Sequence, residues 1–250
     1  MLDVHPPHHP TTTWRDFFIH IATIVIGLLI AVGLEQSIEA LHRHHERIET
    51  EDRILKDAER NEKLVETELL WNYTTRDAAR AYVVSLRQAP TVNGSVHWTF
   101  PDVHQPDDVF PTKPSMEAWE AAKEDSTVSL LPHDRVVAYG RVYLELQQEF
   151  PAYAALNLNH DALSVFTERL NDPDPFTPGK VLVLSPSDRD RMVDIMSTEA
   201  AVMSREMERW VTFRAANKAI LNGCTSLDQV IDTMNHAAPY EPPKEFAPKK

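Results

Sequence analysis

Glycine is scarce in this chain, with 6 in 250 residues, and there is a single cysteine, Cys224. One cysteine excludes an intrachain disulfide but leaves the redox compartment open. The shortage of glycine, beside abundant Ala, Leu, Glu and Arg, suits a helical protein. Basic residues are also short: 25 Lys and Arg stand against 38 Asp and Glu, a formal net charge of -13. No basic stripe compensates, and phosphate binding needs one, so nucleic acid is excluded as the expected partner. The chain has no G-x-S-x-G elbow and no phosphate-cradling glycine loop. Cys224 has no histidine close in sequence and follows a helix end, where the dipole disfavours a thiolate. The expectation is therefore a protein without catalytic activity and without a cofactor.

One long apolar run is present. "FFIHIATIVIGLLIAVGL", residues 17–34, carries no charge and one titratable group, His20. With Trp14 at its edge it reaches about 21 residues, enough to span a bilayer as a helix. A buried core helix of this length would show a polar face. Ala31-Val32-Gly33 has the small-x-small form of a signal-peptidase site. The residues before it lack net positive charge, since Arg15 is offset by Asp16, and a strongly helical stretch follows in phase. Residues 14–34 are therefore expected to be a permanent anchor whose partner is the lipid bilayer. Thr23, Gly27 and Ala31 place small residues on one face, suited to a homodimer of anchors. About 16 residues precede the run, too few for an output domain. Orientation is contested by two signals. Arg43, Arg47 and Arg53 follow the anchor and only Arg15 precedes it, which by the positive-inside rule holds the C-terminal part in the cytoplasm. The mixed charges after the anchor and the short tail before it favour export of the C-terminal domain, with the anchor in the inner (cytoplasmic) membrane.

The organisation follows from punctuation. Residues 1–13 are Pro-rich and polar and expected to be disordered. No proline intervenes between Pro10 and Pro90, and no glycine between Gly33 and Gly94. A helix is therefore expected from Trp14 to about Gln88, with 35–89 as a long juxtamembrane helix. Leu34, Leu41, Ile48, Leu55 and Leu69 recur at multiples of seven, with Ile38 and His45 opening a second column. This narrow seam is expected to pack within the chain rather than form a dimeric coiled coil. Residues 90–114 form a Pro-punctuated loop with a short strand near Val96–Phe100. A helical domain is expected over 115–237, with a disordered tail over 238–250. Within it "SMEAWEAAKED" is a short helix capped by Ser115, and a second helix starts at Pro132, with Pro151 able to kink it. The clearest helix starts at Pro186, with Ser185 as N-cap, Asp188 closing a capping box and Gly223 as C-cap. A last helix covers "SLDQVIDTMNHA". The fold class is all-α: an N-terminal transmembrane helix continuing into a long helix that packs in a bundle.

The anchor "IGLLIAVGLEQ" followed by a charged helix, and later "SMEAWEAAKEDSTVSLLPHDRVVAYGRVY", resembles a family of bacterial single-pass membrane proteins defined as a domain of unknown function. The matching residues are Trp119, Ala122, Leu130, Leu131, Val136 and Tyr143. "EDSTVS" stands where that family often has a glycine turn. The resemblance covers about half the chain and implies a membrane-tethered helical domain. It carries over no functional residue.

Histidine, at 12 residues, is the chemistry-bearing type to weigh. His42 and His45 lie three apart and His45 and Glu49 four apart, so their side chains share a helix face and could chelate a metal. The plainer reading is a solvated helix surface above the membrane. His97, Asp102, His104, Asp107 and Asp108 gather in one loop without fixed ligand spacing, and "HPPHHP" near the start is a weak copper or nickel scavenger. Met192, Met196, Met203, Met207 and Trp210 have helical spacing and are expected in the core, although such faces also adapt to varied partners. Three functions follow: an interaction or scaffold module with a protein partner, a sensor-like ligand-binding domain signalling through a partner, or a His/Asp metal-dependent enzyme. The first is preferred.

Overall fold

The computed structural model describes residues 14–103, 114–170 and 176–246. A single helix, α1 (Trp14–Gln88), runs for 75 residues, about 112 Å at the α-helical rise. Its first part stands alone. Every residue from Trp14 to His45 is exposed, and burial against the rest of the chain begins at Thr50. Beyond that point α1 packs mainly on α4 (Pro186–Leu221). The bundle is completed by α2 (Glu117–Glu124), a 3-10 turn (Thr127–Leu130), α3 (His133–Leu170) and α5 (Leu227–Asn235). The fold is all-α in class, with one small sheet at the far end of α1. The helix α3 is continuous through Pro151.

The sheet has order β1-β2-β3, all antiparallel: β1 (Thr91–Val92), β2 (Ser95–Thr99) and β3 (Val181–Leu184). Asn93 and Gly94 both take positive φ, 51° and 82°, the tight turn that matches strand twist in a hairpin. Val96 pairs with Leu184 and Trp98 with Leu182, and these four side chains are buried. The Trp98 indole N–H donates to Ser85 Oγ at 2.9 Å, fastening the sheet to α1. The strand expected near Val96–Phe100 is thus present, inside a sheet that has two further members.

The core divides in two along α1. The core nearer the apolar run gathers Ile54, Ala58, Val65 and Leu69 with Trp119, Tyr139, Tyr143, Trp210 and Phe213. The far core gathers Tyr82, Leu86, Trp98, Phe100, Phe166 and Met192. Between them, Glu68, Asn72 and Thr74 of α1 and Glu199 and Glu206 of α4 are buried polar residues. All four methionines of the α4 series and Trp210 are buried, as their spacing requires.

Three local expectations are corrected. Leu34, Leu41 and Ile48 do not pack within the chain: they are 62%, 60% and 51% exposed. The buried face of α1 instead follows Ile54, Ala58, Asn61, Val65, Glu68 and Asn72, a column the apolar count passes over because half of it is polar. At α2, Met116 rather than Ser115 holds the N-cap position and makes no side-chain cap. Ser115 Oγ does accept from Glu117 N–H at 3.3 Å, and a second acceptor comes from α1, where Asp57 Oδ2 accepts from Ala118 N–H at 2.8 Å. At α4 the N-cap is as expected, with Ser185 Oγ accepting from Asp188 N–H at 3.1 Å. Asn222 is the C-cap, and Gly223 follows with φ of 83°, the left-handed position that glycine fills after a helix end.

Candidate functional site

The exposed run of α1 is the first candidate. It includes an 18-residue window of mean hydropathy 2.6, none of it buried, so among the described residues there is one helix, near the N-terminus, long and apolar enough to cross a membrane. Residues 14–34 would extend about 31 Å, the thickness of a bilayer core. Trp14, Phe17 and Phe18 cluster at one end, with ring centroids 5.8–6.0 Å apart, the arrangement that favours a headgroup interface. The hydroxyls near this run are satisfied by its own backbone. Thr23 Oγ1 donates to the Ile19 carbonyl at 2.9 Å and Ser37 Oγ to the Gly33 carbonyl at 2.7 Å, which removes the cost of a free donor in hydrocarbon. A Cβ at Gly27 would meet nothing within 4 Å, so this small-residue face is open.

Residues 35–49 form a stalk, about 22 Å long, between the apolar run and the bundle. The two helical histidines singled out by spacing have separate local partners here. His42 Nε2 lies 3.1 Å from Glu46 Oε1, and His45 Nδ1 lies 3.3 Å from the Leu41 carbonyl. His97 sits on the outer face of β2, in register with Val183. His104, Asp107, Asp108 and the histidines of "HPPHHP" lie outside the described residues. Among the described residues no group of three or more His, Cys, Asp or Glu side chains is placed to hold a metal.

Where the stalk meets the bundle, a cleft of about 330 Å³ opens between α1, the start of α3 and the end of α4. Ile48, Leu55, Ile220 and Leu221 supply its apolar walls and Cys224 its edge. The polar groups inside are already matched: Glu51 pairs with Arg135 and accepts from the Tyr139 hydroxyl at 2.9 Å. Burial raises the Tyr139 phenol above its ordinary value against the nearby Arg135 charge, so the tyrosine stays a donor. The two carboxylates that share the cleft with Cys224 are each paired with a cation, Glu51 with Arg135 and Asp52 with Lys56. This geometry suits binding better than nucleophilic chemistry.

The polar residues that sequence reasoning missed join helices. Asn61 Nδ2 donates to the Ser115 carbonyl at 2.9 Å and its Oδ1 accepts from Ser115 N–H at 2.8 Å. Asn217 donates to the Ala58 carbonyl at 2.8 Å. Lys218 pairs with Glu62 and Arg214 with Glu66, each at 3.0 Å. Glu199 is held by Asn159 and by His160 at 3.6 Å. The available signal was positional: amides and carboxylates recurring at helical spacing on α1 and α4.

No family model matches the chain, and comparison with curated proteins and with solved structures returns no match.

Proposed function

We propose that this chain is a non-catalytic interaction module, a helical bundle tethered by residues 14–34 to the inner membrane of a bacterium. One observation carries the reading. The apolar run is exposed on all sides yet is continuous, through an unbroken helix, with a bundle whose packing begins only at Thr50. A helix so exposed is costly in water and stable in lipid. The bundle offers matched ion pairs and helix-joining amides rather than an assembled set of reacting groups. Its partner is a protein met at some distance from the bilayer.

The C-terminal bundle is placed on the exported side. Arg43 is neutralised along the helix by Glu39 at 3.3 Å, yet the arginine bias favours the opposite orientation, so a direct test decides it. Protease shaving of intact spheroplasts, following a C-terminal tag, removes the tag if the bundle is exported. Protection until lysis refutes that orientation. Alkaline carbonate extraction tests the anchor itself: release of the full chain into the soluble fraction refutes tethering.

The cleft beside Cys224 favours a second reading, a sensor-like domain that binds a small ligand there. Ligand binding raises the unfolding temperature by mass action. A thermal-shift screen of the detergent-solubilised chain tests it, with Leu221→Trp, at a half-buried wall position, narrowing the cleft as the control that removes any response.

A further inference from the structure

Leu34 and Leu41 are 62% and 60% exposed and Ile48, at the rim of the cleft with Ile220 and Leu221, is still 51% exposed, so the chain leaves an apolar column largely uncovered, and the column is regular. Counting by sevens, Gly27, Leu34, Leu41 and Ile48 form one seam position, and Ile24, Ala31, Ile38 and His45 form the other, four residues on from the first. The open small-residue face of the anchor is thus the same seam as the apolar face of the stalk. Ile38 is 62% exposed, like its neighbours. This seam lies roughly 100–150° around the helix from the face that the bundle covers. The chain's own α3 and α4 therefore do not cover it. Three large apolar side chains left exposed on the stalk carry a cost in water.

We propose that a second copy of this chain covers the seam, forming a parallel two-stranded coiled coil over residues 24–48. This rests on the tethered reading, because a common anchor is what holds two copies parallel and at equal depth. The residues flanking the seam suit a second copy, with one complementary contact, His44 to Glu49, made twice by symmetry. In that arrangement the positions flanking the seam bring Ser37 opposite the copy's His42 and His44 opposite the copy's Glu49, so no two like charges face each other. Along its own helix Arg43 pairs with Glu39 and His42 with Glu46. His45 becomes a polar layer within an apolar seam, the device that fixes register and favours two strands. The coil ends where Glu51 turns to Arg135 and Tyr139 of its own bundle.

The test is disulfide crosslinking of the full chain in isolated membranes, in a Cys224→Ser background. Single cysteines are placed on the seam (Ile38→Cys, Leu41→Cys) and away from it (Glu39→Cys, Arg43→Cys). Seam positions of a coiled coil approach within disulfide reach. The expected result is a product of twice the 28.5 kDa chain, at least about fivefold stronger at the seam positions. Adding Ile48→Glu to the Leu41→Cys chain buries like charges and lowers the yield. Equal yields on both faces, no product at any position, or a product with a chain of different mass each overturn the proposal. Carbonate extraction of the same membranes reports tethering separately, so a chain that stays in the membrane without crosslinking refutes the coil alone.

Discussion

Replacing Asn61 with alanine should loosen the junction between α1 and α2 without touching the anchor. Asn61 is 2% exposed, and its amide closes a two-bond ring with the Ser115 backbone, at 2.9 and 2.8 Å. Each such bond contributes about 1 kcal/mol net. Ser115 is half-buried, so water can reach its freed N–H and carbonyl, and no full orphan penalty applies. The loss should therefore be about 2 kcal/mol, or about 4–8 °C in unfolding temperature for a domain of this size. Asn61→Asp should cost at least as much. It keeps the acceptor for Ser115 N–H but turns a buried carboxylate oxygen toward the Ser115 carbonyl.

The assay is thermal unfolding of the detergent-solubilised full chain by circular dichroism, with the fluorescence of Trp119 as a local probe in a background where the other four of the five tryptophans are replaced by phenylalanine. Trp119 of α2 stacks on Tyr143 with centroids 5.4 Å apart and planes within 4°. Detachment of α2 should expose the indole before the helical signal is lost. Lys63→Ala, at an exposed position on the same helix, is the control. If Asn61→Ala lies within about 0.5 kcal/mol of that control, surface-like behaviour is established and the assigned role of the ring is wrong.

Gly140 lies inside α3, and a Cβ there would meet Trp119 at 3.5 Å, ordinary contact. Gly140→Ala should stabilise by about 0.5–1 kcal/mol, and a lowered unfolding temperature would contradict it. Gly223→Ala should destabilise by about 1 kcal/mol, because φ of 83° strains any side chain; calorimetry showing no change would refute it. His160 is raised above its ordinary value by its hydrogen bond to Glu199, helped by the Glu199 and Asp161 charges and opposed by burial. Its contribution is complete below the unfolded value and is lost as pH rises through the raised folded one. His160→Gln should therefore lower stability at about pH 5.5 and not at about pH 8.5, by less than about 1 kcal/mol because solvent screens a half-exposed ring. An effect equal at both pH values would contradict the pairing.

Sequence patterning captured the elements that depend on local signals. The apolar run, the missing Gly and Pro between Leu34 and Gln88, and the Ser185-Pro186 start of α4 each specify backbone behaviour within a few residues. What escaped depended on contacts between distant segments. Val181–Leu184 has no polar alternation to mark a strand and becomes one by pairing with β2. Asn93-Gly94 is a hairpin signal that a Pro-rich surrounding obscured. Local capping logic finds Ser115, whose Oγ accepts from Glu117 N–H, but not the second acceptor, which arrives from Asp57, far back in the chain. The clustering of His42 and His45 followed from helical spacing, but their separate local partners did not.

The misread face of α1 has a physical explanation that bears on how the chain works. An apolar seam continued in one line from Leu34 to Leu86 would offer the same surface to α4 and to any second helix, and the two would compete. Here the apolar column of the stalk ends at Ile48, and the buried face resumes from Thr50 on a different side of the helix. That second face mixes Ile54, Ala58 and Val65 with Asp57, Asn61 and Glu68. Its polar members have partners that another copy would have to reproduce in place: the α2 amide for Asp57 and the Ser115 backbone for Asn61. Asn217 of α4 likewise reaches the Ala58 carbonyl. A mismatched helix set against this face would leave these groups buried and unpaired, at about 1–3 kcal/mol each. The seam of the stalk, apolar except for His45, imposes no such penalty. Polar residues thus reserve the lower face for the chain's own bundle, and the change of side at Ile48–Thr50 leaves the stalk face free for a second helix.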